Sequence, residues 1–245
     1  MTAQPRNTSF GLPANLPEPP APVLPRARPA QRRQASTRPR QQGGGAYRNA
    51  FKRGLDILLV VVSLPVTLPL IALFALMVSF RGGHPFYAQA RVGRGGRHFR
   101  MWKLRTMEPD AENSLERHLA SDPKLRAEWD AHQKLRHDPR ITSLGHLLRK
   151  SSLDELPQIW NVLRGDMSLV GPRPMMPNQQ SLYVGRAYYR LRPGLTGLWQ
   201  VSARNDSVFA YRAACDSRYD RRLCFWLDLK IILFTFIVVF RGTGQ

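Results

Sequence analysis

Between Ile57 and Phe80 lie 24 consecutive residues without a charge, ILLVVVSLPVTLPLIALFALMVSF. A bilayer core is crossed by roughly 20 apolar helical residues, so the run is long enough to span one. Two features complicate a plain span. Pro65 and Pro69 each remove a backbone donor and favour a kink. Lys52 and Arg53 precede the run, and Arg81, Arg91, Arg94 and Arg97 follow it. Cations therefore flank both ends, and the asymmetry that orients a spanning helix is missing. A helix that enters, bends at the prolines and returns to the same face satisfies both observations. Hydropathy by itself favours a single span.

The formal net charge of +20 on 245 residues calls for something anionic: nucleic acid, an acidic membrane surface or a phosphate-rich substrate. Cys215 and Cys224 form no CxxC pair, which suits a reducing compartment. The six histidines show no metal-ligand spacing, so a structural zinc site is not expected. Residues 1–46 hold nine of the 20 prolines and seven arginines against Glu18 alone. This segment reads as a disordered basic tail, attracted to anionic lipids or simply solvated. It has no compact apolar stretch of the secretory kind. Residues 47–83 then form the hydrophobic unit, and residues 84–245 a further domain.

Within that domain, residues 84–107 alternate around Gly93, Gly95 and Gly96, the pattern of a small hairpin. A charged helix is expected over 111–136, ended at Asp138-Pro139, with short helices at 143–151 and 153–164. Residues 188–205 read as loop and 207–240 as helix. The last apolar run, Ile231–Phe240, is too short to span and fits an interfacial or core helix.

The residues best suited to chemistry lie in SSLDELPQIWNVLRGDMSLVGPRP, residues 151–174. Ser152 and Glu155 match a capping box, which puts Asp154 and Glu155 in a first helical turn; Pro157 sits late for that register, and the alternative is a helix that begins near Leu156, with both acids near its N-terminus in either case. Anionic substrates are favoured there, although two acids in a first turn also simply complement the helix dipole. Arg173 sits on a stiff segment between Pro172 and Pro174, suited to bidentate phosphate binding. Lys103 and Arg105 alternate with apolar neighbours as one face of a strand does, and offer a second phosphate contact. Taken singly, each of these three cations is better explained as solvated surface charge.

KRGLD (52–56), the proline-broken run, HPFYAQARVGRGGRHFRMWKLRTM, SLDELPQIWNVLRGDMSLVGPRP, RPGLTGLWQVSAR and WLDLKIILFT follow one another in order. Together they resemble the bacterial sugar transferase family, the monotopic phosphoglycosyl transferases, over residues 48–243. The short, catalytic-domain-only form is the closest in organisation. The resemblance implies a fold that is α with minor β: a re-entrant membrane helix plus a small cytoplasmic catalytic domain with interfacial amphipathic helices. It implies transfer of a sugar-1-phosphate from a UDP-sugar to undecaprenyl phosphate on the cytoplasmic face of the inner membrane. Asp154 would be the nucleophile and Glu155 the ligand of a Mg2+ cofactor. Arg173 would meet the diphosphate, with Lys103, Arg105 and Arg204 as further contacts. Asp216 and Asp228 match acids of the C-terminal motif and are grouped with the substrate-binding residues. The departure is at Ser63-Leu64-Pro65, where an adjacent Ser-Pro is common, which affects where the bend falls. Residues 121–142 look most like the galactosyl or glucosyl initiators of exopolysaccharide synthesis. Anionic membrane lipids are expected partners, and homo-oligomerisation is left open.

Two rival readings follow from the same residues. A nucleic-acid binder would interleave aromatics with its cations, yet the tail has none between Phe10 and Tyr47, and no nucleic-acid partner is expected. A non-catalytic membrane scaffold would have no use for the acid pair or the Pro-flanked arginine.

Overall fold

The computed structural model describes residues 45–132, 135, 137–202 and 209–240. The tail expected over residues 1–46 lies, up to residue 44, outside them. The described chain opens with a π-helical turn at Tyr47–Phe51, which runs directly into α1, Lys52–Ser79. The break expected at the prolines is absent: Pro65 and Pro69 both sit inside one continuous helix. An interior proline takes away one hydrogen bond and leaves its neighbours' bonds in place. Here Ser63 and Thr67 add side-chain donors, to the carbonyls of Val60 and Ser63 at 2.8 and 3.0 Å, next to the carbonyls the prolines leave bare.

Helix α1 is about 42 Å long at 1.5 Å per residue, and one stripe of it packs inward. Asp56, Val60 and Val78 are buried. Val60, with Leu64 and Ile71, joins a core of Met101, Ile159, Val162 and Met167. Phe74, Ala75 and Val78 join a second core with Leu104, Leu144, Leu148 and Leu153. The opposite side leaves Leu58, Val62, Val66, Leu73 and Leu76 more than half exposed. Each such side chain forgoes about 1.5–3 kcal/mol available from full burial.

The hairpin is present: β1, Phe86–Val92, pairs antiparallel with β2, His98–Leu104, in the register Phe86 to Leu104. The single helix expected over 111–136 is two, α2 (Ala111–Ser121) and α3 (Pro123–His132). Pro123 cannot continue a hydrogen-bonded helix, and the Asp122 carboxylate restarts one by accepting from the amides of Lys124 and Leu125. Helix α4, Ser143–Ser151, is capped by Thr142, whose hydroxyl accepts from the Gly145 amide at 2.9 Å. A 3-10 turn at Leu153–Glu155 separates it from α5, Gln158–Arg164.

Strand β3, Ser168–Val170, then leads through the Gly171–Pro174 loop and a 3-10 stretch, Pro177–Leu182, to α6, Ala187–Arg190. Strand β4, Gly194–Thr196, returns parallel to β3. The backbones meet where only glycine fits: a Cβ on Gly194 would lie 2.1 Å from the Gly171 amide nitrogen, and one on Gly197 2.0 Å from the Gly171 carbonyl oxygen. The expected loop over 188–205 therefore includes a short strand and α7, Leu198–Ser202. The helical stretch expected over 207–240 divides into α8, Phe209–Arg222, and α9, Phe225–Phe240. Helix α9 is apolar around its whole circumference rather than amphipathic.

The start of α1 is clamped to this domain. Arg53 donates to the carbonyls of Val162 and Leu163, satisfying acceptors at the end of α5. Asp56 accepts from the Ser168 hydroxyl and the Leu169 amide. The KRGLD motif is a structural clasp.

Candidate active site

The acid pair sits in the 3-10 turn between α4 and α5. Ser152 ends α4 in the left-handed region (φ 58°) and makes no side-chain cap bond. The expected capping box is absent; the left-handed residue reverses the chain instead, so that the acids precede α5 rather than forming its first turn. Strand β2 runs alongside and delivers Lys103. Its ammonium lies 2.7 Å from the Glu155 carboxylate and 3.5 Å from Asp154 Oδ2. Asp154 is buried and Glu155 partly open. Burial pushes the Asp154 carboxyl above the usual range, with Glu155 adding to the rise; the Lys103 and Arg149 cations oppose it. Arg149 is itself held by Thr106, its Nε donating to the hydroxyl at 2.9 Å.

A second cluster surrounds the Gly171–Pro174 loop. Arg173 points outward, its guanidinium 5.8 Å from the Trp199 ring centre. Arg212, buried beneath, donates to the Arg173 carbonyl and lies 5.9 Å from the same ring. Arg91 donates to the Pro174 carbonyl at 3.3 Å. Burial, with Arg173 and Arg212 nearby, lowers the Arg91 guanidinium to about 10. The Nε atoms of Arg91 and Arg212 are buried without a partner. Behind them Asp216 accepts from the Tyr183 hydroxyl at 3.1 Å, and burial raises its carboxyl to about 6 despite the Arg212 charge. The guanidiniums of Arg91, Arg173 and Arg212 gather here, with Asp216 acting on Arg212, and form an electropositive cluster suited to phosphate oxygens.

The sequence-predicted residues thus separate. Lys103, Asp154 and Glu155 come together, and Arg173 and Asp216 share the arginine loop. Arg105 does not join them: β2 ends at Leu104, the alternation stops, and the guanidinium turns to the Gly82 carbonyl beyond the end of α1. Asp228 is a structural acid. Tyr47, Tyr219 and Lys52 donate to it at 2.7, 2.6 and 2.6 Å, and it is 1% exposed, which leaves no room for a substrate. Arg204 lies outside the described residues. Arg91, Arg149, Arg212 and Trp199 were missed, because nothing in their local sequence separates them from the other cations and aromatics.

Among the described residues, no three His, Cys, Asp or Glu side chains gather as a metal cage. The hard carboxylate oxygens of the acid pair fit the other arrangement Mg2+ uses, one or two carboxylates completed by substrate phosphates and water.

Comparison with known proteins identifies the family. The bacterial sugar transferase family model matches residues 47–242. The UDP-galactose-lipid carrier transferase of Erwinia amylovora is 46% identical over 196 residues, covering 79% of this chain and 41% of the relative. The undecaprenyl-phosphate galactose phosphotransferase of Salmonella typhimurium is 44% identical over the same shares. This chain therefore spans about two fifths of those two relatives. Exopolysaccharide production protein ExoY of Rhizobium meliloti is 43% identical over 197 residues, and 87% of it is covered. With every quoted motif inside the matched span, the chain belongs to the bacterial sugar transferase family.

Proposed function

We propose that this chain transfers a sugar-1-phosphate from a UDP-sugar to undecaprenyl phosphate, with galactose or glucose as the sugar. The observation that carries the reading is the buried Asp154 carboxylate beside Lys103 and Glu155, with the Arg91 guanidinium of the arginine cluster within electrostatic reach of Glu155. The names of the relatives from Erwinia, Salmonella and Caulobacter support the substrate classes. The ExoY name supports a role in exopolysaccharide production.

An Asp154 carboxylate oxygen attacks the sugar-bearing phosphorus. The bond from that phosphorus to the bridging oxygen of the diphosphate breaks, and UMP departs with the electron pair. An oxygen of undecaprenyl phosphate then attacks the aspartyl-phosphosugar phosphorus and returns Asp154 as a carboxylate. The two displacements replace one harder one. Lys103 keeps Asp154 ionised in a site that otherwise favours the neutral acid, and Arg173 meets the donor's phosphate charge. Glu155 would hold Mg2+, which supplies further neutralisation of the diphosphate.

The same reading puts the chain on the cytoplasmic face of the inner membrane, where the unbroken α1 lies along one leaflet. What supports this topology is the inward stripe of α1, which stays against the domain from Asp56 to Val78 while the far side is bare. A helix standing across a bilayer would have to leave the domain.

The test is UMP release from UDP-galactose and undecaprenyl phosphate by the detergent-solubilised full chain. Asp154→Asn is expected to lower it at least about a thousandfold and to abolish covalent labelling by radiolabelled donor, because an amide does not replace the nucleophile. Near-wild-type release would overturn the mechanism.

A further inference from the structure

The β1–β2 hairpin has a second face that the catalytic reading does not use. Successive side chains of a strand point to opposite faces. Lys103 reaches the acid pair, so Trp102 and Arg100 face the other way. Ala88 and Ala90 stand across from them in the register and are too short to cover that face. The result is a cleft of about 540 Å³, lined by Trp102, Arg100, His98, Arg164 and Asp166 among others. Its size lies within the range of small-molecule sites, roughly 300–1,000 Å³.

The floor of the cleft is fixed by one buried side chain. Strand β2 has only β1 beside it, yet its outward backbone groups are paired. Asn161, 1% exposed, accepts from the Trp102 amide at 3.1 Å and donates to the Arg100 carbonyl at 2.7 Å. The same side-chain nitrogen donates to the Asp166 carboxylate at 3.3 Å, and Arg164 Nε lies 3.6 Å from that carboxylate. Asn161 thereby sets the strand, the acid and, through the acid, one arginine. The Arg100 guanidinium is exposed and makes no hydrogen bond or ion pair among the described residues.

The lining selects its ligand by chemistry. Arg100 and Arg164 present planar forks that suit phosphate oxygens. Trp102 offers a flat apolar surface, on which a base stacks whatever its identity. Asp166 is an acceptor for sugar hydroxyls. Inorganic phosphate uses the arginines alone, and a lipid headgroup has no plane to lay on the indole. A nucleoside phosphate uses all three.

We propose that this cleft binds a nucleoside phosphate at a site separate from Asp154 and Arg173, on the other side of β2. The probe is radiolabelled ADP, whose base differs from that of the proposed donor, in equilibrium dialysis against the detergent-solubilised full chain. Saturable binding of one ADP per chain is expected. Arg100→Ala combined with Arg164→Ala should weaken it at least about tenfold and leave UMP release within about twofold, since both side chains are exposed and outside the acid pair. Trp102→Leu should weaken ADP at least about fivefold and inorganic phosphate hardly at all. Arg173→Ala should do the reverse of the double variant, lowering turnover and leaving ADP bound. Absence of saturable ADP binding overturns the proposal. So does ADP binding that survives the double variant and is lost in Arg173→Ala, because the nucleotide then sits in the catalytic site. Inorganic phosphate binding as tightly as ADP, with Trp102→Leu without effect, reduces the cleft to an anion site and overturns it as well.

Discussion

SLDEL and WLDLK each place an aspartate after a leucine, and each aspartate ends up buried beside a lysine. The two sites nonetheless do opposite things. Asp228 receives three donors, two tyrosine hydroxyls and an ammonium, at 2.6–2.7 Å. Asp154 has Lys103 at 3.5 Å, and that ammonium sits closer to Glu155. A carboxylate saturated with hydrogen bonds has its lone pairs committed and serves as a rivet. One that shares a cation with a second carboxylate keeps lone pairs available and has its ionisation balanced between burial and charge. Donor count, more than burial or residue type, separates the structural acid from the proposed nucleophile.

Asp228→Ala strikes this contrast hardest. It leaves Lys52 and the partly buried Tyr47 hydroxyl without this acceptor and Tyr219 with only the Val170 carbonyl, and the expected loss is about 3–5 kcal/mol of unfolding free energy. Activity per folded molecule in detergent should change far less. Urea unfolding and UMP release measured on the same sample check this, and intact stability with lost turnover would make Asp228 a site residue after all. Lys103→Met comes next. It should lower turnover about a hundredfold while costing under about 1 kcal/mol in stability, because the ammonium is partly open to solvent. Removing the cation also removes what holds the Asp154 carboxyl down, so the acid limb of the pH–rate profile should move to higher pH.

Asp216→Asn gives the smallest effect. The folded carboxyl titrates at about 6 against 3.8 for an unperturbed group. The stability this contributes is complete below pH 3.8 and is lost as pH rises through 6, an amount on the order of 2–3 kcal/mol at most. Unfolding between pH 4 and 7 should lose that slope in Asp216→Asn. An unchanged slope would assign it to other buried acids such as Asp56.

The sequence made the local features legible. Gly95 and Gly96, both with positive φ, turn the hairpin where their spacing predicts, and the run from Ser143 to Ser151 is a helix of the expected length. What escaped was set by distant partners. Tyr47 and Asp228 are 181 residues apart, so no local pattern distinguishes that acid from Asp154. Arg105 follows the alternation of Lys103 on paper, but the strand stops one residue too early. Pro65 and Pro69 looked like a break because their cost is local, whereas the packing that keeps α1 continuous comes from β2, α4 and α5. The acid pair itself was found by its company in the motif; its turn geometry depends on the single left-handed residue Ser152.

The clasp at the start of α1 also has a consequence in time. Lys52 and its acceptor Asp228 are 176 positions apart. At ribosomal rates of about 5–20 residues per second, α1 is made roughly 10–35 s before that acceptor exists. During this interval the longest apolar helix among the described residues has neither its rivet nor the cores that later cover its inner stripe. A nascent chain in that condition is an aggregation hazard in water and a stable guest in lipid. Biosynthesis therefore favours delivery of α1 to the bilayer first, with the catalytic domain assembling afterwards onto a helix already seated there.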